Sequence, residues 1–506
     1  MSGGFVDGSK SGLPIEEADF VIVGSGAGGG AAARVLAASG ARVVVLEEGP
    51  RLRAGELGVS EGASRNRLFR NQGKQAAFGR ATTPILQGRC VGGTTFVNSA
   101  IVWRLPDKVL DRWHAEFGLG DGLPRAALER AAARIEEELS VRPVVEGDTA
   151  GRSDLLLRAA SQQVGIEGRF IRRYEKGCRG SSRCLHGCPH EAKQSTAVTS
   201  LRRAATDGGW VVADARVERL ELASRRGGRV TAVRGVFAGE GPERGQRFRV
   251  AARRAVIVAG GCIQSSNLLW RSGVRSPHLG RHFMAHPGTA MMGLYADRVD
   301  AWTGASQGYE VFGLRDTVGV KFETINVPPE VTAARLPGAG ARFAQRLDEL
   351  GHVANWAVAL KADAEGLVRP SLLFGDYVRY DLLRGDLERL RRGMRTLAEM
   401  HFAAGAREVV TGVAGLPETI RSRDELAVFD GAPLDARAYS LVMTHLFGGC
   451  RAGKDASTSV VDPTLKVHGV DGLYVMDASV FPTNTGVNPQ HSIMSVATVA
   501  AERLAG

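Results

Sequence analysis

The sequence lacks any long apolar run. Its longest apolar stretches, around Val43–Leu46 and residues 255–260, fall far short of the roughly 20 residues that a membrane-spanning helix needs. The first residues also lack the charged and apolar regions of a secretory signal peptide. We therefore expect a cytoplasmic protein without a transmembrane segment.

Lysine is scarce as well. The 506 residues include 65 Lys and Arg, of which only nine are Lys, and the formal net charge is +11. The chain contains no long basic run and no basic stripe with interleaved aromatic residues, so it lacks the electrostatic footprint of a nucleic-acid-binding protein. We expect no nucleic-acid partner, and the arginine bias is typical of a GC-rich genome.

Six cysteines are few for a chain of this length, and a reducing compartment argues against stable disulfides. Glycine, in contrast, is abundant: the chain has 65, where average usage of about 7% would give about 35. No G-X-Y repeat accompanies them, which excludes collagen. The excess therefore predicts many tight turns and places where the backbone comes close to another group.

The first folded element is predicted between residues 19 and 48. A short apolar strand is followed by a G-x-G-x-x-G turn, an alanine-rich helix and a second apolar strand that ends in two acidic residues. This order is typical of a dinucleotide-binding βαβ unit, in which the helix N-terminus faces the pyrophosphate. The residues that carry the motif are Gly24, Gly26, Ala27, Gly29 and Glu47.

Each residue of this motif has a distinct physical role. Gly24 permits the tight turn, Gly26 lets the backbone approach the pyrophosphate, and Gly29 allows the helix to pack closely on the strand. Glu47 stands at the distance where a carboxylate binds the ribose hydroxyls, with Glu48 as the alternative ligand. The motif alone does not distinguish FAD from NAD.

Further segments with a similar character follow along the chain. Residues 88–98 form a glycine- and threonine-rich turn, residues 215–262 resemble a β-meander that runs into a helix, and residues 280–288 contain a His-Pro pair. Near the C-terminus, Asp477 follows a short strand, and Asn488-Pro489 precedes a helix of about 12 residues. Ligands of α/β folds bind at such carboxyl ends of strands.

Taken together, these segments resemble the glucose–methanol–choline (GMC) oxidoreductase family over most of the chain. The resemblance implies an α/β fold, with a Rossmann-like FAD-binding domain assembled from several segments and a substrate domain with an antiparallel sheet flanked by helices. We expect the FAD domain over residues 17–288 and 439–506, the substrate domain over 289–438, and a cysteine-containing insertion at about 166–196.

The family also implies the site residues. His445 matches the active-site base, and Asn488 matches its partner, whereas His491 is a rival that we expect outside the site. A histidine with a near-neutral pKa suits removal of a hydroxyl proton. Because residues 88–104 contain no histidine, we expect non-covalent FAD. The other expected cofactor-binding residues are Gly92, Gly93, Thr94, Asn98, Val217, Asp477, Ala478 and Pro489.

A cysteine cluster stands apart from these segments. Cys178, Cys184 and Cys188 have the spacing C-x5-C-x3-C-P, which resembles a ferredoxin motif with Ser181 in place of one cysteine. Three thiolates suit a [3Fe–4S] cluster, and the spacing resembles that of bacterial glucose dehydrogenases of this family. The alternatives are a [4Fe–4S] cluster with Ser181 or water as the fourth ligand, zinc with His186 or His190, and no metal.

Such a cluster would favour electron export over direct use of O₂. The sequence therefore predicts an FAD-dependent alcohol dehydrogenase that oxidises a CH–OH group of a sugar, polyol or related alcohol. An external protein or quinone would accept the electrons. The alternatives are a sterol- or choline-oxidase-like enzyme that uses O₂, a hydroxynitrile-lyase-like protein, and a flavin or cluster electron carrier without a substrate.

The segment between the two predicted parts of the FAD domain gives less information about function. Residues 289–438 contain strand-like runs and an amphipathic helix at about 383–404. Four aromatic residues there are candidates for lining a substrate pocket or for packing in a core: Tyr309, Phe312, Trp356 and Phe374.

Overall fold

The structure is a computed structural model that describes residues 3–57, 60–224, 227–373 and 375–506. Phe374, one of the four candidate pocket aromatics, lies outside the described residues. Within those ranges, no helix combines the length and the apolar character that crossing a lipid bilayer requires.

The first large sheet contains the predicted βαβ unit. Val43–Leu46 and Arg247–Val258 pair in parallel on either side of Glu17–Val23, and a further strand, Leu473–Val475, pairs in parallel with Arg247–Val258. In spatial order, the main strands are Gly4–Asp7, Trp210–Ala213, Val43–Leu46, Glu17–Val23, Arg247–Val258, Gly227–Phe237 and Ala215–Ser224.

This sheet forms because its central strands are apolar on both faces. All four residues of Val43–Leu46 are buried, as are the last four of Glu17–Val23. Such strands are stable only when helices cover both faces of the sheet. The meander predicted after residue 215 is also present, as two antiparallel pairings at the edge of the sheet. The Rossmann-like prediction for this part of the chain is confirmed.

The second large sheet is mainly antiparallel, as predicted for the substrate domain. Arg281–Leu294 is its central strand and also pairs with Glu408–Val410 and Val442–Phe447. In spatial order, the main strands are Gly375–Arg379, Gly366–Ser371, Arg281–Leu294, Val353–Leu360, Val320–Thr324, Tyr309–Val311 and Gly168–Phe170.

Helices cover both sheets. Ala27–Ala38 and Gln490–Ala505 pack against each other beside the first sheet, and Arg384–Ala403 lies against the second, close to the predicted bounds of 383–404. The remaining helices are Gly8–Ser11, Glu61–Leu68, Asp107–Phe117, Arg125–Glu138, Arg152–Gln163, Ser200–Thr206, Cys262–Arg271, Pro329–Ala333 and Ala341–Asp348.

The predicted domain boundaries do not coincide with the boundaries of the two sheets. The boundary predicted between residues 288 and 289 falls inside the strand Arg281–Leu294. Val442–Phe447, from the C-terminal segment assigned to the FAD domain, is also a strand of the second sheet. The residues that were expected to carry the chemistry therefore lie where the two sheets meet.

Candidate active site

A cavity of about 1620 Å³ lies between the two sheets. Small-molecule sites usually measure about 300–1,000 Å³, so this one has room for a large cofactor together with a substrate. Segments that are hundreds of residues apart in sequence contribute to its wall. The predicted site residues that line it are Gly24, Gly26, Ala27, Glu47, Gly93, Thr94, Asn98, Val217, His445, Asp477, Ala478, Asn488 and Pro489.

Two predicted cofactor residues, Gly29 and Gly92, are not among the residues that line this cavity. A Cβ on Gly29 would lie 2.0 Å from the carbonyl oxygen of Gly24, so Gly29 serves the packing of the helix on the turn. Gly92 has a φ of +97° and lets the chain reverse before Gly93. Both residues therefore support the backbone of the cavity wall without lining the cavity.

The glycine turn fits a pyrophosphate. Gly26 lines the cavity and immediately precedes the helix Ala27–Ala38, whose first N–H groups are free to bind an anion. A Cβ built on Gly26 would meet no atom of the described residues within 4 Å, so the space beside it opens toward the cavity. A backbone that approaches a bound phosphate needs this free space, and the turn therefore fits the pyrophosphate of FAD.

The acidic residues expected near the cofactor also hold the turn together. The Glu47 carboxylate accepts hydrogen bonds from the Ser25 hydroxyl at 2.6 Å and from the backbone N–H groups of Ser25 and Gly49 at 3.0 Å each. Glu48 instead pairs with Arg70 and Arg89. Burial raises the pKa of Glu47. Its role as a ribose ligand stays a prediction.

Asp477 has a similar linking role. Its carboxylate accepts hydrogen bonds from the Gly261 N–H at 2.8 Å, the Ser265 hydroxyl at 2.5 Å and the Ser479 N–H at 2.8 Å. These bonds join the strand end at residue 475 to the start of the helix Cys262–Arg271. Asp477 therefore fixes the backbone of the cavity wall around Ala478.

His445 and Asn488 form the pair expected from the sequence. The Nε2 of His445 lies 3.3 Å from the Nδ2 of Asn488, and both side chains line the cavity. Burial, followed by the positive charge of Lys321, lowers the pKa of His445 to about 3. The imidazole is therefore neutral at pH 7 and has a free-base nitrogen, but its pKa lies well below the near-neutral value expected from the sequence, because the ring is buried beside a cation.

Lys321 is a site residue that sequence reasoning missed. Its ammonium group is buried and donates to the Asn488 Oδ1 at 2.6 Å and to the Glu310 carboxylate at 2.9 Å, and it pairs with Glu323 at 2.5 Å. Burial opposes the charge of Lys321, but the two carboxylates raise its pKa above the usual value. The signal in the sequence was a lysine, one of only nine in the chain, between two apolar residues.

His286 and Asn484 were also missed. The Nδ1 of His286 lies 3.2 Å from the Nδ1 of His445, and the Nε2 of His286 is hydrogen-bonded to the Oδ1 of Asn484. His286 stands in a segment named in the sequence analysis, 280–288, whereas Asn484 lies between Asp477 and Asn488 without a local signal of its own. Their contact with His445 depends on strand pairing between distant segments, which no local pattern reveals.

The remaining candidates lie elsewhere. His491 is fully buried, and its Nδ1 lies 2.8 Å from the Tyr174 hydroxyl, outside the cavity lining. Tyr309 and Trp356 are buried in the second core, and Phe312 packs edge-on against Trp103. Of the two alternatives left open by the sequence, Tyr309 and Trp356 fit packing in a core, and none of the three rings is among the residues that line the cavity.

The geometry does not support the predicted iron–sulfur cluster. Cys178, Cys184 and Cys188 do surround one small cavity, of about 10 Å³. Across the described ranges, however, no three His, Cys, Asp or Glu side chains converge on a point that could hold a metal ion. Arg173 instead donates to the Cys184 sulfur at 3.2 Å, and this buried cation, with Lys193, lowers the pKa of Cys184 against the effect of burial.

Comparison with known proteins identifies the family. Models of the GMC oxidoreductase family match residues 19–288 and 368–497. An uncharacterized GMC-type oxidoreductase of Mycobacterium tuberculosis is 38% identical over 492 residues, which cover 97% of this chain and 76% of that protein. The long-chain-alcohol oxidase FAO1 of Arabidopsis thaliana is 28% identical over 517 residues, which cover 97% of this chain and 67% of that protein.

A solved structure shows the same fold. Pyridoxine 4-oxidase from Mesorbium loti superposes with a TM-score of 0.72 at 18% sequence identity, over 96% of this chain and 98% of that one. Both halves of the chain match one family. The segments by which the sequence resembles that family also contribute to the cavity between the sheets. The chain belongs to the GMC oxidoreductase family, whose members use FAD.

Proposed function

We propose that the protein oxidises the CH–OH group of a small-molecule alcohol with FAD as cofactor and His445 as the base. The observation that carries the proposal is the approach of His445 Nε2 and Asn488 Nδ2, 3.3 Å apart, at the wall of the cavity that includes the glycine turn. One side chain of this pair can accept a proton, and the other can donate a hydrogen bond.

These two groups suit the chemistry of an alcohol. The Nε2 of His445 accepts the hydroxyl proton, and the Asn488 amide donates a hydrogen bond to the alcohol oxygen as negative charge develops there. FAD, when bound, supplies the acceptor for the hydride that leaves the carbinol carbon, so that the alcohol becomes a carbonyl compound. A positioned base of this kind typically contributes about 10²–10⁴-fold to the rate.

The cavity wall beyond the base favours an alcohol with an apolar body over the sugar or polyol predicted from the sequence. Ile325, Val327, Val331 and Ala357 line this region. Two polar side chains there have protein partners, since Gln307 donates to Glu323 and Asn355 donates to Thr332, whereas the buried Thr289 hydroxyl has no hydrogen-bond partner among the described residues. Similarity to a long-chain-alcohol oxidase supports the same substrate class.

A screen of primary alcohols of increasing chain length, with sugars and polyols as the comparison set, tests this substrate class. We expect bleaching of the flavin by the apolar alcohols under anaerobic conditions. Bleaching by sugars alone would contradict the apolar assignment but keep the proposed reaction. An absence of bleaching by any alcohol would favour the electron-carrier or lyase alternatives.

The preference for a dehydrogenase depended on the iron–sulfur relay, which the cysteine geometry does not support. Reoxidation of the bleached enzyme by O₂, compared with reoxidation by an artificial acceptor, separates the two outcomes. Peroxide formed in equal amount to the product identifies an oxidase, and slow reaction with O₂ identifies a dehydrogenase with an external protein or quinone acceptor.

The variant His445→Ala tests the assigned base. We expect it to fold and to retain FAD but to lose alcohol-dependent bleaching by about 10²–10⁴-fold. His468→Ala is a matched control, since this histidine lies outside the cavity lining and hydrogen-bonds Ser459. Equal bleaching rates in the wild type and His445→Ala would exclude His445 as the base.

We also propose that FAD is bound without a covalent link, because the segment 88–104 contains no histidine. Acid precipitation of the holoenzyme should release all of the flavin into the supernatant. Flavin that stays with the precipitated protein would contradict this proposal.

A further inference from the structure

We infer that His286 and Asn484 hold His445 in the tautomer that carries its proton on Nδ1 and presents the Nε2 lone pair to the cavity. The inference deepens the proposed function, on which it rests for the role of His445 as a base. It assigns His286 and Asn484 as positioning residues.

The orientation of the Asn484 amide is fixed by three backbone groups. Its Nδ2 donates to the carbonyl oxygens of Ala285 at 3.3 Å and Ala362 at 3.1 Å, and its Oδ1 accepts from the Gly486 N–H at 2.8 Å. Rotating the amide by 180° would break all three bonds. The atom that Asn484 turns toward His286 is therefore an acceptor.

It follows that the Nε2 of His286 carries a proton, because it is hydrogen-bonded to the Asn484 Oδ1. His286 is buried, and burial followed by the neighbouring His445 lowers its pKa well below the ordinary value, so the ring is neutral. A neutral imidazole carries only one N–H. The Nδ1 of His286 is thus an acceptor, and the Nδ1 of His445, 3.2 Å away, must donate to it.

The contacts on the opposite side of the His445 ring require the same tautomer. The ammonium of Lys321 can only donate, so the atom of Asn488 that lies 2.6 Å from it is the carbonyl oxygen Oδ1. The Asn488 Nδ2 then faces the Nε2 of His445 at 3.3 Å. An amide N–H needs a lone pair opposite it, so Nε2 of His445 is unprotonated.

The other tautomer of His445 would fail at both contacts. Its Nε2–H would face an N–H of Asn488, and its Nδ1 lone pair would face the lone pair of His286 Nδ1. An alcohol hydroxyl that enters the cavity would then also meet an N–H instead of an acceptor. The buried chain of hydrogen bonds therefore selects the only neutral form of His445 that can take the hydroxyl proton.

Nitrogen-15 NMR of the FAD-bound enzyme labelled at its histidine ring nitrogens tests the inference without a substrate. The signals of His445 are assigned as those lost in His445→Gln. We expect an unprotonated Nε2 and a protonated Nδ1 in the wild type. A protonated Nε2 in the wild type would overturn the inference, and this measurement needs no further variant to fold.

Two variants separate positioning from general packing. His286→Leu removes the acceptor for the His445 Nδ1–H, and we expect loss of the pure Nδ1–H pattern. In His286→Gln, the side-chain oxygen can accept from His445 while the amide donates to Asn484, so the wild-type pattern should return. An unchanged pattern in His286→Leu would remove His286 from the role. If the proposed function fails, His445→Ala will retain its activity with alcohols. That result is independent of the NMR pattern, so the two failures can be distinguished.

Discussion

The Nζ of Lys321 lies 2.6 Å from the Oδ1 of Asn488, and the same ammonium group pairs with the buried carboxylates of Glu310 and Glu323. Lys321→Met removes the one positive charge that faces all three groups. We expect the variant to lose about 3–5 kcal/mol of unfolding free energy, since breaking a buried ion pair leaves an uncompensated charge. Denaturant unfolding of the holoenzyme measures this loss.

The exposed pair of Lys466 and Asp471 provides the control for Lys321→Met. Lys466→Met should cost at most about 1 kcal/mol, because exposed ion pairs contribute little. Adding Glu323→Gln to Lys321→Met should recover part of the stability, because Glu310 keeps its ion pair with Arg169 and the carboxylate left without a cation is then neutral. Equal losses in the Lys321 and Lys466 variants would contradict this account.

Two glycines at the start of the same helix should respond differently to alanine. At Gly26 the added methyl group projects into the cavity without meeting the described protein, so Gly26→Ala should fold normally and bind FAD more weakly. We expect a loss of about tenfold or more, where tenfold corresponds to about 1.4 kcal/mol. Titration of the apoprotein with FAD measures it.

Gly28→Ala is the contrasting variant. A Cβ on Gly28 would lie 1.7 Å from the carbonyl oxygen of Met476, and backbone cannot move away as a flexible side chain can. We expect little folded protein from this variant, measured as soluble yield and circular dichroism. Normal folding of Gly28→Ala together with full FAD affinity of Gly26→Ala would refute the proposal that the glycine turn binds the pyrophosphate of FAD.

The pH dependence of flavin reduction follows from the buried base. The pKa of His445 is about 3, so the neutral form predominates above about pH 4 and is lost only as the pH falls through 3. The limiting rate of bleaching by a saturating alcohol should therefore be constant between pH 6 and 8. A rate that rises tenfold per pH unit across that interval would show that the required base is still protonated there.

Acid stability should depend on His401, which lies far from the cavity and stacks on Trp356 with ring centroids 3.9 Å apart. Burial lowers its folded-state pKa to about 3, whereas the unfolded value is about 6.5. The unfolded chain thus binds this proton first, and stability present at pH 7 is lost as the pH falls through 6.5 toward 3.

His401→Phe keeps the stacked ring and removes the titration. Between pH 7 and pH 5 the variant should lose about 2 kcal/mol less unfolding free energy than the wild type, since each pH unit below 6.5 is worth about 1.4 kcal/mol. Unfolding curves at the two pH values give the difference. Identical pH dependence in both proteins would mean that His401 has the same pKa in the folded and in the unfolded chain.

The sequence was most informative where chemistry depends on local order. Gly24, Gly26 and Glu47 follow one another within a single βαβ unit, and all three line the cavity. His445 and Asn488 were found through resemblance, because the segments around them are distinctive. These features could be predicted because each is encoded by neighbours along the chain.

What was missed depends on long-range pairing. Lys321 reaches Asn488 across 167 residues, and His286 reaches His445 across 159. The cysteine spacing fits a cluster motif, but the structure does not support the cluster. A buried arginine lies beside Cys184 instead. The spacing of residues along a chain gives only the order of possible ligands. The direction of each side chain depends on the packing around it, which the spacing does not show.

The strand Arg281–Leu294 lies beside both the histidine pair and the apolar wall of the cavity. His286 stands directly opposite His445 in the pairing of this strand with Val442–Phe447, so backbone hydrogen bonds fix the distance between the two rings. From Gly288 to Leu294 the same strand pairs with Val353–Leu360, beside the apolar wall. A single strand thus couples the spacing of the two histidines to the position of the wall at which we propose that the alcohol binds, so a shift of this strand would change both together.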